Sequence, residues 1–308
     1  MRLDRALAVI KNICSSNAFL YAVIILMAFF LVDFRHLDTR VKMRRLNDVR
    51  PGSLSQLLLL SRGEIPPADV NWPELLKYFR LIVRYMPHED VSRMFLGIAE
   101  YYSGDPKSAL ELLQHSAEEN PFIFWNVYNA GVLAFEQGNM SLALRYLERA
   151  LLLPPERLPP AIKASVLYRQ ILAAAKEPVD INVDIRQART NVLVLRAAAY
   201  YYANEHEKAR DAAVFALDKV LPQDTEPLYF YAGAASLSLN QLPLALNFFN
   251  ACIRLKSQNP LVYQYSGEIV GKMGKGEESR SLLKIAGSLR RAWDAGFPYP
   301  QRLGLRFF

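Results

Sequence analysis

Histidine and cysteine are scarce in this chain, with four and two among 308 residues. His36, His88, His115 and His206 are isolated from one another and from Cys14 and Cys252. No His/Cys set stands at metal-ligand spacing, so no metal site is expected. Two cysteines also make no disulfide framework, and Cys252 falls at a small, packed helical position where a buried free thiol fits. Glycine is sparse as well. The nearest approach to a phosphate loop is VGKMGKGEES, with Gly271, Gly274 and Gly276, but it joins two helical patterns and lacks the strand-to-helix context and the spacing. A serine nucleophile elbow is missing. The expectation is therefore no enzyme, no cofactor and no small-molecule substrate.

Positive charge is absent where nucleic acid would need it. The formal charge is +7, yet residues 1–50 carry a net +5 and residues 281–308 a net +4, which leaves the middle at −2. A nucleic-acid partner would ask for Lys and Arg striped along the folded body, so none is expected.

Apolar residues, by contrast, make up 52% of the chain. Residues 1–12 alternate Arg2, Arg5 and Lys11 with Leu3, Leu7, Val9 and Ile10, as an interfacial amphipathic tail does. Ile13 to Val32 then runs without a charge, long enough to cross a bilayer, and a transmembrane helix is expected over 13–34. A cleavable signal is the competing reading, but the run ends in Val32, Asp33, Phe34, Arg35 with no small-x-small site. Residues 35–52 read as a basic linker in which Arg40, Lys42, Arg44 and Arg45 either flank the anchor or meet anionic lipid headgroups. Six positives follow the span and three precede it, which favours the body on the cytoplasmic side; the short N-tail with its three positives argues the other way.

The body is periodic. Asn120 to Pro155 reads as two helices joined at Gln137, Gly138 and Asn139, with Gly131 and Ala143 marking a close approach and Pro154 and Pro155 the stop. A step back of 34 residues lays Leu96 and Gly97 on Ala130 and Gly131, Gly104 on Gly138, Ala109 on Ala143, Leu113 on Leu147, Ser116 on Ala150 and Pro121 on Pro155. Weaker copies begin near Thr190 (Tyr200, Ala209, Ala216) and Glu226 (Gly233, Ala245, Phe249, Cys252). A worn fifth has Tyr263, Gly267, Gly274, Ser279 and Leu283. On these residues the stretch from Asp90 to Gly287 resembles the tetratricopeptide repeat family, whose unit is a helix pair with Leu-Gly in its first helix and small residues in its second. The expected fold is thus all-α: a superhelix of about five helix hairpins over 90–289, preceded by a degenerate capping hairpin at 53–89.

Two segments depart from the period. Residues 158–189 hold one helix, Ala161 to Lys176, and then PVDINVDIRQ, whose alternation suits an extended segment; a decayed repeat and an insertion both fit. The tail, 290–308, combines Trp293, Phe297, Tyr299, Phe307 and Phe308 with Pro and Arg, either covering the last repeat or docking on a partner or the membrane.

The resemblance implies that first helices line a groove. Carried over, the lining is Met94, Ile98, Tyr101 and Tyr102; Trp125, Tyr128, Val132 and Phe135; Val194, Ala198, Tyr201 and Tyr202; Phe230, Ala234 and Leu237. Rigid aromatics suit capture of another protein or peptide segment, although the same residues would also serve as core. Lysines that clamp a terminal carboxylate in chaperone-binding relatives are missing at the matching positions. The expected function is a single-pass, membrane-anchored protein-interaction scaffold, placed by its resemblance to anchored repeat adaptors at a bacterial inner membrane. An accessory or regulatory subunit of a membrane-associated enzyme or envelope assembly complex is the alternative.

Overall fold

The computed structural model describes residues 17–61, 64–87, 91–153, 165–174 and 185–290, in two units, Met1–Arg50 and Pro51–Phe308. In the first unit, α1 (Asn17–Asp48) is one helix of 32 residues. No Pro or Gly interrupts it, so residues 35–48, expected as a linker, continue the helix; Pro51 and Gly52 follow its end. Tyr21, Val23, Ile24, Ile25 and Met27 of α1 are exposed. Among the described residues no helix is long and apolar enough to cross a membrane. Residues 17–34 of the expected span lie within α1, while 13–16, the amphipathic N-tail and residues 291–308 of the aromatic-basic C-terminal tail fall outside the described residues.

The second unit opens with a 3-10 turn (Gly52–Ser55), α2 (Gln56–Ser61) and α3 (Trp72–Tyr85). Asn71 caps α3 by accepting from the Glu74 N–H, and Leu75, Phe79 and Ile82 on one face are buried. Five helix pairs follow: α4 (Ser92–Tyr102) with α5 (Pro106–Glu119), and α6 (Phe124–Glu136) with α7 (Met140–Leu152). After α8 (Val166–Ala174) come α9 (Ile185–Tyr202) with α10 (His206–Leu217), α11 (Glu226–Ser238) with α12 (Leu242–Arg254), and α13 (Pro260–Lys272) with α14 (Gly276–Arg290). No strand occurs among the described residues.

One turn closes all five pairs. Its left-handed residue is Gly104, Gly138, Asn204, Asn240 or Gly274, at φ 94, 76, 61, 59 and 80°, and only Gly or Asn holds that conformation cheaply. The next N–H donates back five residues: Asp105 to the Glu100 carbonyl, Asn139 to Ala134, Glu205 to Tyr200, Gln241 to Ser236 and Lys275 to Val270, at 2.9 to 3.1 Å. This is the Schellman ending, which satisfies carbonyls the first helix would otherwise orphan. Asp105 and Asn139 then cap the second helices of their pairs by accepting from the Ser108 and Leu142 N–H groups.

A second regularity sets how closely the two arms approach. Gly97, Gly131, Gly233 and Gly267 each face a large side chain sixteen residues on, namely Leu113, Leu147, Phe249 and Leu283. A Cβ on any of these glycines would come within 2.8 to 3.1 Å of that side chain. The third pair solves the same contact differently. Ala197 stands at the glycine position and Ala213 at the large one, both fully buried. Two methyl groups thus replace a bare α-carbon against one bulky side chain, so neither side needs a glycine.

Each second helix packs on the first helix of the following pair: α5 on α6, α7 on α9, α10 on α11 and α12 on α13. Since α7 meets α9 directly, α8 is not a layer of the stack; it packs instead on the 3-10 turn Gly52–Ser55. Of the helix expected over 161–176, Val166–Ala174 is described and 161–164 and 175–176 are not. Of the expected extended segment, Ile185, Arg186 and Gln187 form the first turn of α9, because the 3.6-residue apolar pattern of Ala188, Val192 and Leu195 starts there and overrides the short alternation; 178–184 lies outside the described residues. A half-exposed Arg80 ties α3 to the stack through Glu100 of α4, at 2.8 Å.

Candidate functional site

The expected groove residues divide into two sets. Met94, Ile98, Trp125, Tyr128, Val132, Phe135, Val194 and Phe230 are buried, with exposures from 0 to 5%, and Ala198 and Ala234 with them. These are core, which corrects the groove reading for them. Each first helix packs on its own partner and on the helix before it in the stack, and α9 packs also on α6 and α11, so a side chain one turn from the glycine is enclosed on several sides. Trp125 meets Tyr128 edge-on at 5.7 Å, Phe124 stacks on Tyr128 at 5.6 Å, and the Asn191 amide of α9 donates to the Tyr128 hydroxyl at 3.4 Å.

Tyr101, Tyr102, Tyr201 and Tyr202 remain half-exposed, and Leu237 likewise. Tyr102 stacks on Trp72 of α3 with ring centroids 4.5 Å apart and 14° between planes. Tyr101 donates to the Glu136 carboxylate at 2.7 Å, joining α4 to the end of α6. Burial holds the Glu136 carboxyl above its ordinary value, against the opposing pull of the Tyr101 hydroxyl; burial and then Glu136 push the Tyr101 phenol upward.

The second aromatic group crosses four helices. Tyr202 of α9 meets Phe135 of α6 at 6.0 Å and Tyr231 of α11 at 6.3 Å. Tyr201 meets Tyr231 at 6.0 Å, and Phe230, beside Tyr231, stacks on Tyr265 of α13 at 6.4 Å. Tyr231 is buried and hydrogen-bonded to Tyr202, while Tyr265 is half-exposed. Burial raises all three phenols, Tyr202 to about 12. They stay neutral at physiological pH and offer rings and hydroxyls, which bind through contact area and hydrogen bonds. Nothing in the group activates a nucleophile. The Cys252 thiol is pushed far up by burial, and no three His, Cys, Asp or Glu side chains among the described residues are placed to hold a metal.

Tyr231 and Tyr265 were not among the residues the family pattern pointed to. The signal was present: they stand one 34-residue step apart, each nine residues before the left-handed turn residue of its pair. Of the basic residues suggested for lipid, Arg40, Arg44 and Arg45 are exposed on α1, and Lys42 pairs with Asp38 at 2.6 Å.

No protein-family model matches the chain, and no curated protein does. Solved structures do. MamA 41-end from Desulfovibrio magneticus RS-1 aligns at 13% identity and a TM-score of 0.50, over 68% of this chain and 98% of that one. Another MamA crystal structure aligns at 15% identity and the same score, over 67% and 94%. At such identity the likeness speaks to fold alone, and it agrees with the five equivalent hairpins: an all-α helical-repeat fold similar to that of MamA.

Proposed function

We propose that the protein is a membrane-anchored docking platform whose aromatic first-helix face binds a segment of a partner protein. The observation that carries the reading is the half-exposed row Tyr201, Tyr202 and Tyr265, backed by the buried Phe135, Phe230 and Tyr231. Tyrosines braced from behind are rigid anchors, able to bury area on a partner with little loss of rotamer entropy. The anchor reading rests on the sequence: Ile13 to Val32 runs without a charge, and Arg40, Lys42, Arg44 and Arg45 beyond it suit headgroups of the cytoplasmic leaflet.

The test uses the full chain in its native membrane. A photo-crosslinking residue in place of Tyr265 should capture a discrete partner band, and Tyr201→Ala with Tyr202→Ala should abolish it. Capture that persists unchanged in the double variant rules out the aromatic face. Protease digestion of sealed vesicles checks the topology: cleavage of the body only from the cytoplasmic side is expected.

A further inference from the structure

On α9, residues advance by about 100° each, which sets Arg189, Leu193, Arg196 and Tyr200 along one side and Tyr201 and Tyr202 around the other. The first side lines an open pocket of about 460 Å³ between α7, α9 and the end of α10. Its apolar part is Leu151, Leu152, Leu193 and Phe215, with Leu152 84% exposed and Phe215 54% exposed. Two aliphatic and aromatic side chains this open, at one spot between packed helices, leave apolar surface that a partner would cover.

Around that surface stand three cations. The Lys219 ammonium lies 4.3 Å from the Phe215 ring centroid and the Arg196 guanidinium 6.0 Å from it. Arg189 is exposed on the rim. None of the three forms an ion pair among the described residues, and the buried Arg196 Nε makes no hydrogen bond. Arg80, Arg93, Arg145 and Lys208 of the stack are by contrast paired, with Glu100, Glu119, Glu118 and Glu205, so the pocket differs from these in holding three unpaired cations around one apolar spot. Among the described residues the one carboxylate at the pocket is Glu148, which is held by the Tyr200 hydroxyl. Among them the surplus is therefore positive, local and set around an apolar floor.

We propose that this pocket is a second docking site, for a partner protein segment that alternates carboxylates with bulky apolar residues. Carboxylates would meet Arg189, Arg196 and Lys219 in charge-assisted pairs, and an apolar side chain would enter between Leu152, Leu193 and Phe215. A nucleic-acid strand fits poorly, because the floor, Leu152, Leu193 and Phe215, is apolar and residues 51–280 carry a net −2. The site lies on the opposite side of α9 from the tyrosine row and stands independently of it.

Fluorescence anisotropy on the full chain in detergent tests it, with a short labelled peptide of alternating Asp or Glu and Leu or Phe as the probe. Arg189→Glu with Lys219→Glu should weaken binding by about tenfold or more, and Phe215→Ser should do so separately. Both changes are at exposed positions, and matching thermal melts establish that the variants fold. A peptide with Lys in place of every acid should not bind, and Tyr201→Ala with Tyr202→Ala should leave the affinity unchanged. Equal affinity in the charge-reversed variant overturns the proposal, as does a single-stranded oligonucleotide displacing the probe at equal concentration. So does binding that emerges only when Glu177, Asp180 and Asp184 are changed to Asn, which would make the chain's own acidic segment the occupant.

Discussion

The contact between Gly233 and Phe249 shows how much one hydrogen decides. A Cβ at 233 would lie 2.8 Å from the Phe249 Cε1 and 2.9 Å from Cδ1. Gly233→Ala should destabilise the protein by about 1–2 kcal/mol in chemical denaturation, the overpacking strain exceeding what alanine returns in helix propensity. The third pair, with Ala197 against Ala213, predicts the remedy: Gly233→Ala with Phe249→Ala should be less unstable than the two single losses added together. Glu136 makes a pH-dependent contribution. Its folded carboxyl lies above the ordinary 4.5, so its contribution is fully present below that value and is lost as pH rises through the raised one. Glu136→Gln keeps an acceptor for Tyr101 without a charge. Its melting temperature should equal or exceed the parent's near neutrality, and that advantage should vanish in acid.

At the scale of the element, the hairpin turn carries most of the information. Gly138 sits at φ 76° with open space where a Cβ would go, and Asn fills the same position at 204 and 240. Gly138→Asn should therefore cost a few tenths of a kcal/mol and Gly138→Val about 1–2 kcal/mol, measured by thermal unfolding. These turns, the Asp105 and Asn139 caps and the Pro residues beyond the second helices could all be read directly, since each is a local choice by a residue type. The start of α9 could not. Val179, Ile181, Val183 and Ile185 alternate as a strand does, and only the competing helical period of Ala188, Val192 and Leu195 shows where the chain commits. Nor was the position of α8 legible, because an apolar face on nine residues says that a helix is covered and not by what.

For the whole molecule, the stack should tolerate loss of its tyrosine row better than loss of its core. Tyr201→Ala with Tyr202→Ala removes half-exposed rings and should cost less stability than Trp125→Ala alone, which empties a fully enclosed site and should cost about 3–5 kcal/mol. Urea titration of the three proteins gives the comparison. The repeat itself followed from sequence, because a helix hairpin with apolar surface on two sides needs neighbours and a 34-residue step supplies them. Close contacts at Gly97, Gly131 and Gly267 followed for the same reason: small residues recur only where backbones approach. What the sequence left undecided was exposure. Trp125 and Tyr201 are both large aromatics of first helices in the same family pattern, and only the number of elements packed around each makes one core and the other surface. The grouping of Arg189, Arg196 and Lys219, unpaired among the described residues, also belongs to tertiary structure alone. They come from two separate stretches of chain, and charge becomes a site only when folding brings it around an apolar floor.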